Sequence, residues 1–180
     1  MVFILEKFFN RLSKKINFFT DICGKSVAWL ILIMVFVQCG VVCLRYLFDV
    51  GSIALQESVN YLHACCFMLG AAFTFKEDGH VRVDIFYRNM SQRKKYLVNI
   101  LGNLAFLIPL CVFILIISND YVLESWRIKE KSVDSDGLAY VYILKSLIPL
   151  LALTLLVQTL ADTYKSFISI LNKNSGVQID

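Results

Sequence analysis

Four long apolar runs, at approximately 22–45, 54–75, 97–118 and 138–161, alternate with short polar stretches along the chain. A helix needs about 20 mostly apolar residues to cross a hydrocarbon core of about 30 Å. In lipid, every backbone N–H and C=O must bond within its own segment, which only a helix or a closed barrel achieves. The pattern therefore predicts an all-α integral membrane protein with four transmembrane helices. Ahead of the first run, Leu5, Phe8, Leu12, Ile16 and Phe19 recur at steps of three or four, with Lys7, Arg11, Lys14 and Lys15 largely elsewhere. This predicts an amphipathic helix over 1–21 lying in the headgroup plane; the alternative is a plain extension of the first span. In the middle loop, Val81, Val83, Ile85 and Phe86 set against His80, Arg82, Asp84 and Arg88 predict a second interfacial helix around 83–89. Ser91 is placed to cap a helix starting at Gln92.

The connections follow from the same pattern. Residues 48–53 include Asp49, Gly51 and Ser52, which suit a tight turn, so the first two spans are antiparallel neighbours. The connection 118–137 is predicted to be a loop holding Trp126, a residue common at the membrane boundary. Pro149 and Pro109 are predicted to bend their spans, and 172–180 to form a loose tail.

Composition narrows the reading. With 58% hydrophobic and 18% charged residues, 180 residues leave no room for a soluble domain, so 1–180 is one membrane domain. Four helices close a thin bundle with little interior for a substrate cavity, which points to a subunit that packs on something larger. The first apolar run is too long for a cleavable signal peptide, and no small-residue cleavage pattern follows it. Cysteines at 23, 39, 43, 65, 66 and 111 sit in or beside the spans with no C-x-x-C pair, so disulfide and zinc readings have no support and they read as small packing residues. Of the eighteen Lys and Arg residues, thirteen fall in the N-terminal segment, the middle loop and the C-terminal tail. Positive charge stays inside, which predicts cytoplasmic termini in a multi-pass inner membrane protein. The net charge of +4 is then a topology signal, with lipid as the partner and no nucleic acid.

Ionisable groups within spans usually face protein or water. Glu57 lies near the outer start of the second span, beside Gln56 and close to Asn60. It is too shallow for a transport site, which favours a structural role: pairing with Arg45 across the short loop, or with a partner subunit. His63 lies about two turns deeper. The only other histidine, His80, is in the cytoplasmic loop, so bis-histidine haem ligation fails and a helix–helix hydrogen bond is expected. Lys145 either snorkels or pairs with Glu57, Asp120 or a partner acid. Small residues at Cys39, Gly40 and Cys43, and at Gly70, Ala71 and Ala72, serve either internal packing or docking. His80, Arg82 and Asp84 form the densest polar cluster, but neither nucleophile nor pocket accompanies them, and no cofactor is implied.

The run Gly70-Ala-Ala followed by Gly79-His80-Val81-Arg82-Val83-Asp84 resembles the signature of the small membrane subunit of TRAP transporters, the DctQ family. Arg45-Tyr46 at the end of the first span, Glu57 with Tyr61-Leu62 in the second, and Gly137-Leu138, Lys145, Leu147-Ile148-Pro149-Leu150 and Gln158 are similar to that family in order. Leu55 and Gln56 stand where the family often has Trp, and Asn60 where it often has Arg. The resemblance implies a non-catalytic subunit that scaffolds a large multi-span subunit. That partner would carry substrate and sodium sites and move as an elevator, fed an organic acid by a periplasmic binding protein. Two other readings compete. A thiol oxidoreductase would need cysteine pairs in the outward loops, which hold none. A free-standing homodimeric transporter would depend on Glu57, and Glu57→Gln would then abolish transport rather than merely weaken assembly.

Overall fold

The structure, a computed structural model, describes residues 2–79, 87 and 89–174. It is built from helices α1 (Val2–Phe48), α2 (Ile53–Lys76), α3 (Gln92–Gly102), α4 (Ile108–Ile128) and α5 (Val141–Asn174), with a single π-turn, Asn103–Leu107, joining α3 to α4. Four segments are long and apolar enough to cross a membrane: α1, α2, the joined α3–α4 unit, and α5. The chain is an all-α membrane protein.

The helices do not close a bundle as the sequence suggested. They form an open row in the order α1, α2, α5, α4, each packed mainly on its neighbour, while α3 lies along the far part of α5. Small residues make the close approaches that lipid-embedded helices need in place of a hydrophobic drive. Cys66 and Ala72 on α2, Cys111 on α4, and Ala152 and Ala161 on α5 are buried. A Cβ on Gly24 of α1 would fall inside the Phe73 side chain of α2, and Gly70 of α2 faces Val27 of α1. Large side chains point the other way: Trp29 is 69% exposed and Phe106 is 76% exposed. Both broad faces of the row are therefore left for lipid or another protein.

Helix α1 runs unbroken through the boundary where an interfacial helix was expected to end. At 1.5 Å per residue its 47 residues extend about 70 Å, so the segment before 22 and the first span form one continuous helix. The reason appears in its packing. Ser13 and Thr20 are buried, whereas Leu12 and Phe19 of the expected apolar face are exposed and Ile16 is half-buried. The polar stripe holds the helix to its neighbours, and the apolar stripe faces out. Of the expected middle-loop helix, residues 83–86 and Arg88 lie outside the described residues. Tyr87 is described; its hydroxyl donates to Asn99 Oδ1 on α3 at 3.1 Å.

Two helices also outlast their predicted spans. Helix α4 continues to Ile128 instead of giving way to loop after 118, because Ser118, Val122 and Ser125 keep a buried face at steps of three and four. Helix α5 continues well past 161, with Ala161 and Ser166 still buried. Ser91 precedes α3 as expected but makes no side-chain cap bond. The expected disturbance at Pro109 takes the form of the π-turn just before it, closed by the Ile108 N–H on the Asn103 carbonyl. Proline lacks an N–H and crowds the carbonyl four residues back; one wider turn absorbs both problems.

Candidate functional site

Two polar layers tie the row together, one at each end. The first begins where α4 stops. Lys129 adopts the left-handed conformation with φ 51°, and the Glu130 N–H bonds back to the Ser125 carbonyl at 3.0 Å, a Schellman-type ending. The chain then closes a small loop: the Ser132 N–H donates to the Leu138 carbonyl, and the Gly137 N–H to the Asp134 carbonyl, each at 3.0 Å. Glu57 of α2 reaches into this loop. Its Oε1 accepts from the Ser132 hydroxyl, and its Oε2 accepts from the Leu138 N–H at 2.5 Å. One carboxylate thus satisfies two donors of a connector more than 70 residues away, fastening the α4–α5 loop to α2.

The flank is secured by Lys145 of α5, whose Nζ donates to Glu130 Oε2 at 2.5 Å and lies 4.0 Å above the Tyr121 ring. Next to it, Trp126 Nε1 donates to Ser146 Oγ at 2.7 Å, and its ring meets Tyr142 edge-on at 4.8 Å. Lys129 covers both rings at 5.1 Å. The expected partners of Lys145, Glu57 and Asp120, are replaced by Glu130, because α4 runs on far enough to return Glu130 over the start of α5. Likewise Glu57 bonds the loop rather than Arg45.

The Lys145 ammonium holds the Glu130 carboxyl below its usual range. A carboxyl with a depressed folded pKa contributes stability above its unfolded pKa, near 4.3, and that contribution is lost as pH falls through the folded value. Lys145→Gln is therefore expected to lower the melting temperature at pH 7. The gap to the unaltered chain should narrow as pH falls from the ordinary carboxyl range through the depressed Glu130 value; a gap that does not narrow at all on acidification would mean that Lys145 acts by packing alone.

The second layer lies at the other end. Gln158 of α5, almost fully buried, accepts from Thr20 Oγ1 at 2.9 Å and donates to Asn17 Oδ1 at 3.1 Å. One turn on, Asn103, turned inward by the π-turn, donates to Asp162 Oδ2 at 3.1 Å and Thr163 Oγ1 at 3.0 Å. Lys76 pairs with Asp21 of α1 and, at 3.3 Å, with Glu77. Gln158, Asn103 and Lys76 each bond a side chain on another helix, which is how such groups are tolerated within membranes.

The expected residues thus part company. Glu57 and Lys145 join the first layer. Arg45, Asn60 and His63 are exposed on the α1–α2 side, and His63 makes no helix–helix bond among the described residues. Gly79 follows Asp78 at the end of α2, its N–H bonding the Thr74 carbonyl at 2.9 Å; His80, Arg82 and Asp84 lie outside the described residues. Sequence reading missed Ser132, Asn103, Asp162 and the Thr20–Asn17 pair. Polar residues at 13, 17 and 20 recur at helical spacing and were the available signal. All six cysteines are free, and among the described residues no three His, Cys, Asp or Glu side chains are placed to hold a metal.

This arrangement fastens helices to one another and leaves wide faces open, as expected of a membrane subunit rather than a chamber. Comparison with curated proteins gives no match. A family model described as tripartite ATP-independent periplasmic transporters, DctQ component, matches residues 31–168, from within α1 to within α5. With most of its length matched, the chain belongs to the DctQ family, the small membrane component of these transporters.

Proposed function

We propose that this chain is the fixed scaffold of a sodium-driven uptake system for an organic acid. In this reading a large multi-span subunit carries the substrate and the ions, moving as an elevator, and a periplasmic binding protein delivers the acid. The observation that supports it is the open row. A frame for a sliding partner needs breadth and stiffness, and four helices side by side, pinned by a polar layer at each end, supply both. The thirteen basic residues flanking one end of the spans support a cytoplasmic position for that end and both termini. The Glu57 layer then faces the periplasm. There the fully exposed Val133 stands at the tip of the 129–140 loop, flanked by Lys131 and Asp134, and offers the binding protein a small contact.

The test is purification of the tagged chain in mild detergent from its native host, with mass spectrometry of what accompanies it. A multi-span protein at one-to-one stoichiometry is expected. A pure homo-oligomer would overturn the scaffold and favour a free-standing carrier.

A further inference from the structure

On α1, Gln38, Val42 and Arg45 fall at steps of four and three; on α2, Gln56, Asn60 and His63 do the same. That spacing puts each trio on one helix face. The structure turns the two faces to the same side of the row. Gln38, Val42, Arg45, Gln56 and Asn60 line one open groove of about 440 Å³ between α1 and α2, and His63 lies one turn beyond Asn60. Gln38, Arg45, Asn60 and His63 are all exposed.

Depth decides what this groove suits. Arg45 lies in the last turn of α1, at the level of lipid headgroups. Gln38 lies seven residues, or about 10 Å, deeper than Arg45, and His63 lies ten residues into α2, so both sit well inside a hydrocarbon core about 30 Å thick. Amides and an imidazole facing acyl chains there would lose hydrogen bonds that nothing replaces. A headgroup could satisfy Arg45 but cannot follow the stripe inward. The outward face of the π-turn and α4 differs: Phe106, Leu110, Phe113 and Ile117 are exposed and wholly apolar, as lipid requires. Arg45 also makes no ion pair among the described residues, so the groove presents an uncompensated cation at its outer end.

We propose that the α1–α2 face is the docking surface for the large membrane subunit. The complementary element is a transmembrane helix with an acid opposite Arg45 and hydrogen-bonding side chains opposite Gln38, Asn60 and His63. This rests on the scaffold reading above, and its test separates the two.

The photo-crosslinker p-benzoylphenylalanine is placed at Asn60, His63 or Phe113, and the complex is purified with its large subunit and irradiated in nanodiscs. Crosslinks to the large subunit are expected from positions 60 and 63 and not from 113. Arg45→Glu is expected to reduce recovery of the large subunit at least tenfold while leaving the melting temperature of this chain unchanged. A complex that forms but crosslinks from 113, or yields only lipid adducts or self-crosslinks from 60 and 63, overturns the assigned face and spares the scaffold. Absence of the large subunit from preparations of the unaltered chain overturns both.

Discussion

Gly137→Ala is expected to open the loop between α4 and α5. The added Cβ would fall inside the Ser132 side chain and 2.9 Å from Glu57 Oε1. Ser132 cannot simply swing aside, because its hydroxyl also accepts from the Asp134 N–H at 3.2 Å while donating to Glu57. The loop must move off the carboxylate or the carboxylate must leave the loop. Overpacking of this kind costs about 1–3 kcal/mol, and the cost falls on a connector held largely by those bonds. Local opening should rise accordingly, by about tenfold, read as faster trypsin cleavage after Lys131 in detergent-solubilised protein. Gly51→Ala in the α1–α2 turn is the control: its Cβ would meet nothing within 4 Å, and cleavage should stay at the unaltered rate. Glu57→Ala removes both acceptors and should open the loop at least as far. Glu57→Gln keeps one acceptor, and its amide can donate to Ser132, so it should open the loop less. If Gly137→Ala leaves cleavage unchanged, the loop is not seated on Glu57. If Glu57→Gln abolishes transport in the assembled system while the loop stays closed, Glu57 carries protons and the structural role assigned to it is wrong.

The spans were legible in the sequence because lipid allows no ambiguity over about 20 apolar residues. Their ends and partners were not. Composition could not show that α4 continues to Ile128, since Asp120, Glu124 and Arg127 read as loop until Val122 and Ser125 are seen to be buried against α5. Glu57 and Lys145 stood out as charges in apolar surroundings, but their partners, Ser132 and Glu130, lie in a polar connector where no single residue is conspicuous. The packing of the start of α1 was hidden for a related reason. Amphipathic patterns are assigned by placing the apolar side inward or in the interface, and here the small polar side, Ser13, Asn17 and Thr20, is the one that packs. In a bilayer, apolar residues gain nothing by leaving lipid for protein, so hydrogen bonds and close approach choose the interface instead. The same inversion makes the exposed polar stripe at Gln38, Asn60 and His63 informative, because polarity inside a membrane marks contact with protein.

Gln158→Leu tests that logic at the other end of the molecule. Leucine nearly conserves volume and is more soluble in lipid, so a hydrophobic account of packing predicts no loss or a small gain. The structure predicts the opposite. Gln158 supplies the two hydrogen bonds that join α5 to Thr20 and Asn17, and α1 otherwise leans almost wholly on α2. Hydrogen bonds between membrane helices average about 0.6 kcal/mol and reach about 1.7, so losing both should cost about 1–3 kcal/mol. The cost is local, since Lys76–Asp21 and the Val27–Gly70 contact still hold α1 to α2 beyond this point. Hydrogen exchange of α1 amides between residues 13 and 20 should therefore accelerate about five- to hundredfold, with little change in the second half of the helix. Thr20→Val should reproduce part of the effect, and adding it to Gln158→Leu should cost less than the sum of the two, because they share one bond. Full additivity would show that Thr20 and Gln158 do not interact. Unchanged exchange in Gln158→Leu would show that the N-terminal half of α1 is held by its apolar side after all, with Leu12 and Phe19 restored to the role their spacing first suggested.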